Sequence, residues 1–436
     1  MQPEAQSPRN WIIVGGGAAG IELATRLGKK FRGHPTIKII LVDPKFKHIW
    51  KPQWHEIAAG TLNYPESEVN YLLHGQRYGY QFELGAMERL IRAKQQIILA
   101  PMFDEQGQLM IERRALPYER LFLAVGSISH DFSVPGVAQY SDTLDSQQQA
   151  DQFYRRFLQQ CIRRQYQPTN TPFKIVIVGG GATGVELAAE LTETIRRLQQ
   201  LNWTHIDPSQ MHISLVEGAE RLLPNLPQRV SQAIEANLVQ QNIKVYLNHA
   251  VARLTQDCVY MVNGEVLPAD MIVWAAGIKA PEWLAHLGLA HNKLNQIMVK
   301  PTLQTQSDPQ IFALGDAACC ILPDYPQGVP PRAQAAHQQA ALLAKSLHCA
   351  TLGKPLLNYH YRDYGSLISL SQRTAVGHLG ANVLPGGIFL EGKLAQWFYW
   401  LLFKKHQMVL FGFWRVALGT LGQLLLGKIK LRVKLH

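Results

Sequence analysis

Cysteine is scarce in this chain. Five stand in 436 residues (Cys161, Cys258, Cys319, Cys320, Cys349), and none has CxxC or zinc-like spacing. That excludes a disulfide scaffold and a structural zinc site, and it points to an intracellular, reduced setting. No secretory signal precedes Trp11. Apolar runs long enough to cross a bilayer are missing before the C-terminal segment, so no bundle of membrane helices is encoded. No nucleophilic triad or metal-ligand cluster stands out. Acid is in deficit, with Lys+Arg at 43 against Asp+Glu at 32 and a net charge of +11. Such an excess attracts nucleic acid, anionic lipid or anionic cofactors, and its distribution decides among them. Hydrophobic residues make up 47 %, which excludes a disordered chain and allows two or three domains.

What is present twice is a glycine-rich turn. WIIVGGGAAG (residues 11–20) and KIVIVGGGATG (174–184) each run from an apolar strand into a GxGxxG turn. A buried parallel strand reads as a continuous apolar run. The first glycine makes the turn, the second admits a pyrophosphate, and the third lets the following helix pack on the strand. The helix N-terminus offers free N–H groups to phosphate. The first set is Gly15, Gly17 and Gly20, with Ala18 and Ala19 opening the helix. The second is Gly179, Gly181 and Gly184, with Thr183. A single GxGxxG is weak evidence; two in strand–turn–helix context predict one protein holding two dinucleotides.

Each turn is followed by a strand ending in an acid. The strand 37–42 ends at Asp43, about 20 residues after Gly20, the spacing of an acid that binds a ribose hydroxyl. The strand 212–216 ends at Glu217, further along because residues 202–211 read as an inserted loop. Such an acid accepts from ribose hydroxyls and repels a 2′-phosphate, favouring NADH over NADPH; Arg221 nearby weighs against it. The stretch 46–60, FKHIWKPQWHEIAAG, containing Lys51, reads as a wall around a flavin ring. Residues 78–120 read as a small antiparallel insertion. The strand 118–126 closes on Ala124-Val-Gly126, and 270–277 on Ala275-Ala276-Gly277. Residues 142–164 form an amphipathic linker helix, and 165–172 mark a boundary. IFALGDAA (311–318) predicts a strand followed by Asp316 and Ala317 at a helix N-terminus.

From residue 391 onward the character changes. Trp397, Phe398, Trp400, Leu401, Leu402 and Phe403 precede Lys404 and Lys405. A second apolar patch runs from 408 to 426, and the tail KIKLRVKLH is basic. One membrane-crossing helix over 406–427 is long enough, but Arg415 would sit mid-span and glycines interrupt it. Amphipathic helices lying in the interface, with cations on anionic head groups, fit better. A homodimer interface is the other use of the same surface. The positive charge is thus assigned to lipid, not nucleic acid.

The ordered motifs over 10–345 resemble the two-dinucleotide-binding-domain flavoproteins, the glutathione-reductase-like fold. The redox cysteine pair of disulfide reductases is absent from 15–70, and Cys161 and Cys349 are poorly placed for sulfide:quinone chemistry. The vicinal Cys319-Cys320 pair reads as packing. PRAQAAHQQ (331–339) is similar to the AQxAxQ signature of type II NADH:quinone oxidoreductases. That resemblance implies FAD on the first turn with Asp43, Lys51, Ala124, Gly126, Asp316 and Ala317. NADH falls on the second with Glu217, Ala276 and Gly277. It places a quinone at Gln334, with His337 and Gln338 close by and Lys393 at the mouth. Glu186, just past the second turn, would point to the nicotinamide and hold or relay a proton; Glu186 and Gln334 are the catalytic candidates. The implied activity is hydride transfer from NADH to FAD, then two electrons to a membrane quinone, without proton pumping. The implied location is peripheral, on the cytoplasmic face of the inner membrane. The alternatives are a reductase for a soluble acceptor such as ferredoxin, or a flavoprotein of the apoptosis-inducing-factor type.

The expected fold class is therefore α/β. It has two Rossmann-type dinucleotide-binding domains (glutathione-reductase-like) and a C-terminal membrane-associating segment. The expected division is 1–150 and 297–345 for FAD, 151–296 for NADH, and 346–436 for a β segment with anchoring helices.

Overall fold

The computed structural model describes residues 9–62, 68–167, 169, 171–203, 205, 208–371, 374–380 and 387–426, the last four of these as backbone only. Residues 1–8, the basic tail and parts of the 165–172 and 202–211 segments lie outside the described residues. The chain forms two compact units, one of Met1–Lys51, Pro65–Ile128 and Lys279–Arg362, the other of Pro52–Tyr64, Ser129–Ile278 and Asp363–His436.

The first unit is built on a five-stranded parallel sheet. Its order is Ile311–Ala313, Arg120–Leu123, Arg9–Val14, Ile37–Asp43, Gln81–Leu84. The glycine-motif strand sits at the centre, and Trp11, Ile12 and Ile13 are wholly buried, as its unbroken apolar run requires. The first glycine helix, Ala18–Phe31, packs against the helix Ala333–Thr351 that carries the AQAAHQQ segment. The insertion is a three-stranded antiparallel sheet of Met87–Ile91, Gln96–Leu99 and Arg114–Pro117, with a hairpin of Met102–Phe103 and Leu109–Ile111.

The second unit repeats the plan. A four-stranded parallel sheet runs Lys244–Tyr246, Met211–Val216, Phe173–Val178, Met271–Trp274. The second glycine helix is Ala182–Gln200. The linker helix Gln147–Tyr166 begins at Ser146, whose hydroxyl accepts from the Gln149 N–H. It and the glycine helix both pack on a short helix, Trp54–Ala59. The stretch 46–60 is therefore divided. Its start is a strand, Lys47–Ile49, paired with Glu68–Asn70 in the first unit, and its end is a helix of the second.

At the C-terminal end of the chain, three antiparallel strands, Gly365–Ser369, Ala375–Leu379 and Ile388–Gly392, form a sheet. The helix Lys393–Phe411 packs on it, with Ala375, Leu390 and Ala395 forming a small core flanked by Phe398. The helix stops at Gly412, whose φ of 85° lies in the left-handed region. A second helix, Phe413–Leu426, follows. The break interrupts the 406–427 span, and no described helix is long and apolar enough to cross a membrane.

One local expectation is corrected. Asp316 does not open an α-helix. It lies in a single 3-10 turn, Gly315–Ala317, and the chain continues as a strand, Ala318–Cys320, paired with Ile297–Val299. The prolines at 323, 326, 330 and 331 delay the helix until Ala333.

Candidate active site

The two glycine turns are held by corresponding hydrogen bonds. In the first, Gly15 N–H donates to Val42 O at 2.8 Å, and in the second Gly179 N–H donates to Val216 O at 2.7 Å. A Cβ on Gly20 would lie 1.8 Å from Gly15 O, and one on Gly184 2.0 Å from Gly179 O. Only glycine allows the helix that close to the turn. At the middle position the reverse holds. A Cβ on Gly17 would meet nothing nearer than 3.9 Å, and one on Gly181 nothing within 4 Å. Neither helix N-terminus is capped by a side chain. Each cradle is thus open space faced by backbone donors, which is what a pyrophosphate needs.

The acids after the turns play matching parts. Asp43 Oδ2 accepts from Gly16 N–H at 2.7 Å and Oδ1 from Lys45 N–H at 2.9 Å. Glu217 Oε2 accepts from Gly180 N–H at 2.6 Å and Oε1 from Ala219 N–H at 2.8 Å. Each carboxylate fixes the turn and keeps lone pairs for ribose hydroxyls. Burial pushes the Asp43 carboxyl up, against those N–H donors. Arg221 donates to the carbonyls of Leu226 and Pro224 and, at 3.0 Å, to Ser231 Oγ. Its guanidinium therefore braces its own loop, which removes the weight it carried toward a 2′-phosphate.

On the first unit Lys51 Nζ donates to Ser127 O at 2.7 Å and Oγ at 2.9 Å, and Ser127 Oγ donates to Asp316 Oδ2 at 2.7 Å. Lys51 and Asp316, far apart in sequence, are joined through Ser127, the residue after Gly126. Ala124 and Ala317 are buried beside them in the strand-end turns, whereas Gly126 is exposed. Tyr71 hydroxyl donates to Gly16 O at 2.8 Å, closing the turn from its other side.

The quinone candidates separate by what holds them. Gln334 is half-buried in the first turn of Ala333–Thr351. His337 Nδ1 meets the buried Glu22 of the first glycine helix. Gln338 is tied both ways to Arg362, donating to its carbonyl at 2.8 Å and accepting its N–H at 3.0 Å. Gln339, which was not singled out, accepts the Gly315 N–H at 2.7 Å and so fixes the Asp316 turn. Lys393 opens the C-terminal helix in the second unit and is exposed.

In the second unit Thr183 is exposed at the helix N-terminus, and Ala276 and Gly277 follow the strand Met271–Trp274. Glu186 is 6 % exposed. Ser369 N–H donates to its Oε1 at 3.0 Å, and His55 Nδ1 lies 3.3 Å from its Oε2. Burial raises the Glu186 carboxyl well above its ordinary range and lowers His55 to about 3. Burial therefore favours the uncharged forms of both the acid and the imidazole.

The model of the pyridine nucleotide-disulphide oxidoreductase family matches residues 9–340. The type II NADH:quinone oxidoreductase of Haemophilus influenzae is 38 % identical, over 98 % of this chain and 100 % of its own length. The chain belongs to the type II NADH:quinone oxidoreductases. A demethylphylloquinone reductase of Synechocystis is 27 % identical over 88 % of each chain. Plasmodium falciparum NDH2, solved in complex with NADH, shares the fold with a TM-score of 0.80 at 18 % identity, covering 98 % of this chain and all of that one. As a type II enzyme the chain needs no disulfide centre. All five cysteines are free thiols, and burial raises Cys320 to about 11 and Cys161 to about 12.

Sequence reasoning passed over Ser127, Tyr71, Gln339 and Glu190. For Glu190 a signal existed. Glu186, Glu190 and Glu193 stand at i, i+4 and i+7 on one face of the helix, and all three are buried. For Ser127 and Tyr71 no local pattern announced them.

Proposed function

We propose that this chain is a flavin-dependent NADH:quinone oxidoreductase that pumps no protons, with FAD on the first cradle and NADH on the second. The observation carrying this reading is the pair of acid-clamped, open cradles in a chain 38 % identical, end to end, to a type II enzyme. When bound, FAD takes a hydride from NADH and gives two electrons to a quinone.

Gly17 and Gly181 leave room for the two pyrophosphates, and the uncapped helix N-termini hold them. Asp43 and Glu217 orient the riboses, and Glu217 rejects a 2′-phosphate. Lys51, Ser127 and Asp316 orient the flavin side of the first cradle, with Ala124, Gly126 and Ala317 shaping its floor. Thr183, Ala276 and Gly277 border the dinucleotide on the second. Gln334 donates to a quinone carbonyl or accepts from a quinol hydroxyl, with His337 and Gln338 next to it on the same helix, and Lys393 is a further quinone-binding candidate. Glu186, kept protonated by burial, holds a proton near the site of hydride transfer.

The C-terminal helices dock on the cytoplasmic face of an anionic membrane as a monotopic anchor. This is supported by their exposed Trp397, Phe413, Trp414 and Leu418 and by the surplus of Lys and Arg in this segment.

Purified in detergent, the full chain should show a flavin spectrum that NADH bleaches faster than NADPH and that a quinone restores. Bleaching restored only by a soluble protein acceptor would overturn the assignment.

A further inference from the structure

Glu186 is not alone. Glu190, one turn along the same helix, is 2 % exposed, and Thr61 Oγ1 lies 3.0 Å from its Oε2. Thr61 N–H also donates to Glu56 O at 2.8 Å, tying the helix Trp54–Ala59 to the glycine helix. Thr194 Oγ1 makes a second tie, to Ala59 O at 2.8 Å. The carboxyls of Glu56, Glu186 and Glu190 feel one another's charge, and the Tyr399 side chain of the C-terminal helix feels all three. Among the described residues, the buried Tyr399 OH and His55 Nε2 of this group meet no hydrogen-bond partner. His55 is 3 % exposed. Burial lowers it to about 3, against a hydrogen bond with the Pro52 backbone.

Glu186 and Glu190 are buried and Glu56 is half-buried, and carboxylates gathered so closely with so little water cannot all ionise. Burial, with Glu190 as neighbour, brings Glu56 up to about 8. Burial brings Glu190 to about 7, against the pull of Thr61 and Arg197. Arg197 is the cation that acts on Glu190, and it is shared with Glu193. Glu193 is taken by Arg196 and Arg197. Tyr154 of the linker helix sits against Gly60, and burial raises it to about 12. Lys404 and His406 are buried further along the Tyr399 helix, where Lys404 donates to Gln407.

We propose that Glu56 and Glu190, grouped on the packed helices beside Glu186 with Tyr399 and His55 as polar neighbours, form a proton reservoir that reloads Glu186 during turnover. The reading rests on the oxidoreductase function above. Its chemistry balances: NADH, one proton and a quinone give NAD⁺ and a quinol, so the hydride brings one of the two quinol hydrogens and one proton must be drawn from the protein and replaced from water. The group spans from the helix bearing the NADH cradle to the helix bearing the exposed aromatic face, all within one unit. It is thereby placed to carry that proton.

The test uses full-length wild type, E56Q, E190Q and Y399F, purified with flavin in detergent. Infrared titration of the wild type should show a protonated-carboxyl C=O band lost between about pH 6 and 9. That band should shrink in E56Q and in E190Q. Stopped-flow bleaching by NADH should stay within about twofold in every variant, whereas quinone-driven recovery at pH 8 should slow by about tenfold or more. Y399F should slow recovery while keeping the infrared band. An unchanged band together with an unchanged pH profile of recovery would refute the reservoir. A wild type whose bleached flavin ignores quinone would refute the oxidoreductase function instead, and the infrared titration would still decide whether the shared proton exists. If E56Q fails to fold, E190Q and E56D carry the comparison.

Discussion

At the scale of single residues, glycines separate fold from binding. Gly184→Ala puts a methyl 2.0 Å from a backbone oxygen that cannot yield. It should lower stability by roughly 1–3 kcal/mol or prevent folding, read by thermal melting. Gly181→Ala meets nothing within 4 Å in the protein but occupies the phosphate space. It should melt near wild type while the KM for NADH rises tenfold or more, about 1.4 kcal/mol of lost binding. Equal KM values would remove NADH from this cradle. Gln334→Ala should raise the quinone KM severalfold and leave NADH bleaching of the flavin intact; slowed bleaching would show that Gln334 serves the other half-reaction. The glycines and their partner acids were legible in the sequence, because strand, turn and helix are contiguous there. Ser127 and Tyr71 were not, since each acts on a turn it reaches only through the folded sheet.

At the scale of elements, the helices after Gly392 carry the proposed membrane anchor. Trp414 is 76 % exposed and Leu418 67 %, one turn apart on one face. Burying two such side chains in lipid contributes roughly 3–5 kcal/mol. The double variant Trp414→Asp, Leu418→Asp should therefore cut binding to vesicles containing anionic lipid by more than a hundredfold. Cosedimentation reads this directly. If vesicle binding persists and light scattering shows a dimer turning monomeric, the surface is a subunit interface instead. The 3-10 turn at Asp316 is another element-scale matter. A run ending in Gly-Asp-Ala reads equally well as a helix start, and only the pairing of Ala318–Cys320 with Ile297–Val299 makes it a strand.

At the scale of the whole molecule, buried acids shape the pH dependence of stability. Glu56 and Glu190 titrate near 8 and 7 when folded, against about 4.5 when exposed. The folded chain then holds protons that the unfolded chain has released, so their contribution falls as pH rises from about 4.5 and is gone above about 8. His55 acts in the opposite sense. Held near 3 when folded against 6.5, it favours unfolding as pH drops below about 6.5. Because Gln cannot ionise, the melting temperature of Glu56→Gln relative to wild type should climb by a few degrees between about pH 5 and pH 8.5. A constant offset across that range would mean the Glu56 carboxyl does not titrate there. The sequence by itself determined the two glycine turns, the acids that follow them and the apolar, basic C-terminal end, because glycine geometry, apolar periodicity and runs of charge are local properties of a chain. Only the tertiary structure decided that Glu56, Glu190 and Tyr399 gather around Glu186. A carboxyl becomes a proton store through loss of water and the nearness of other acids, and both come from helices that the sequence keeps far apart.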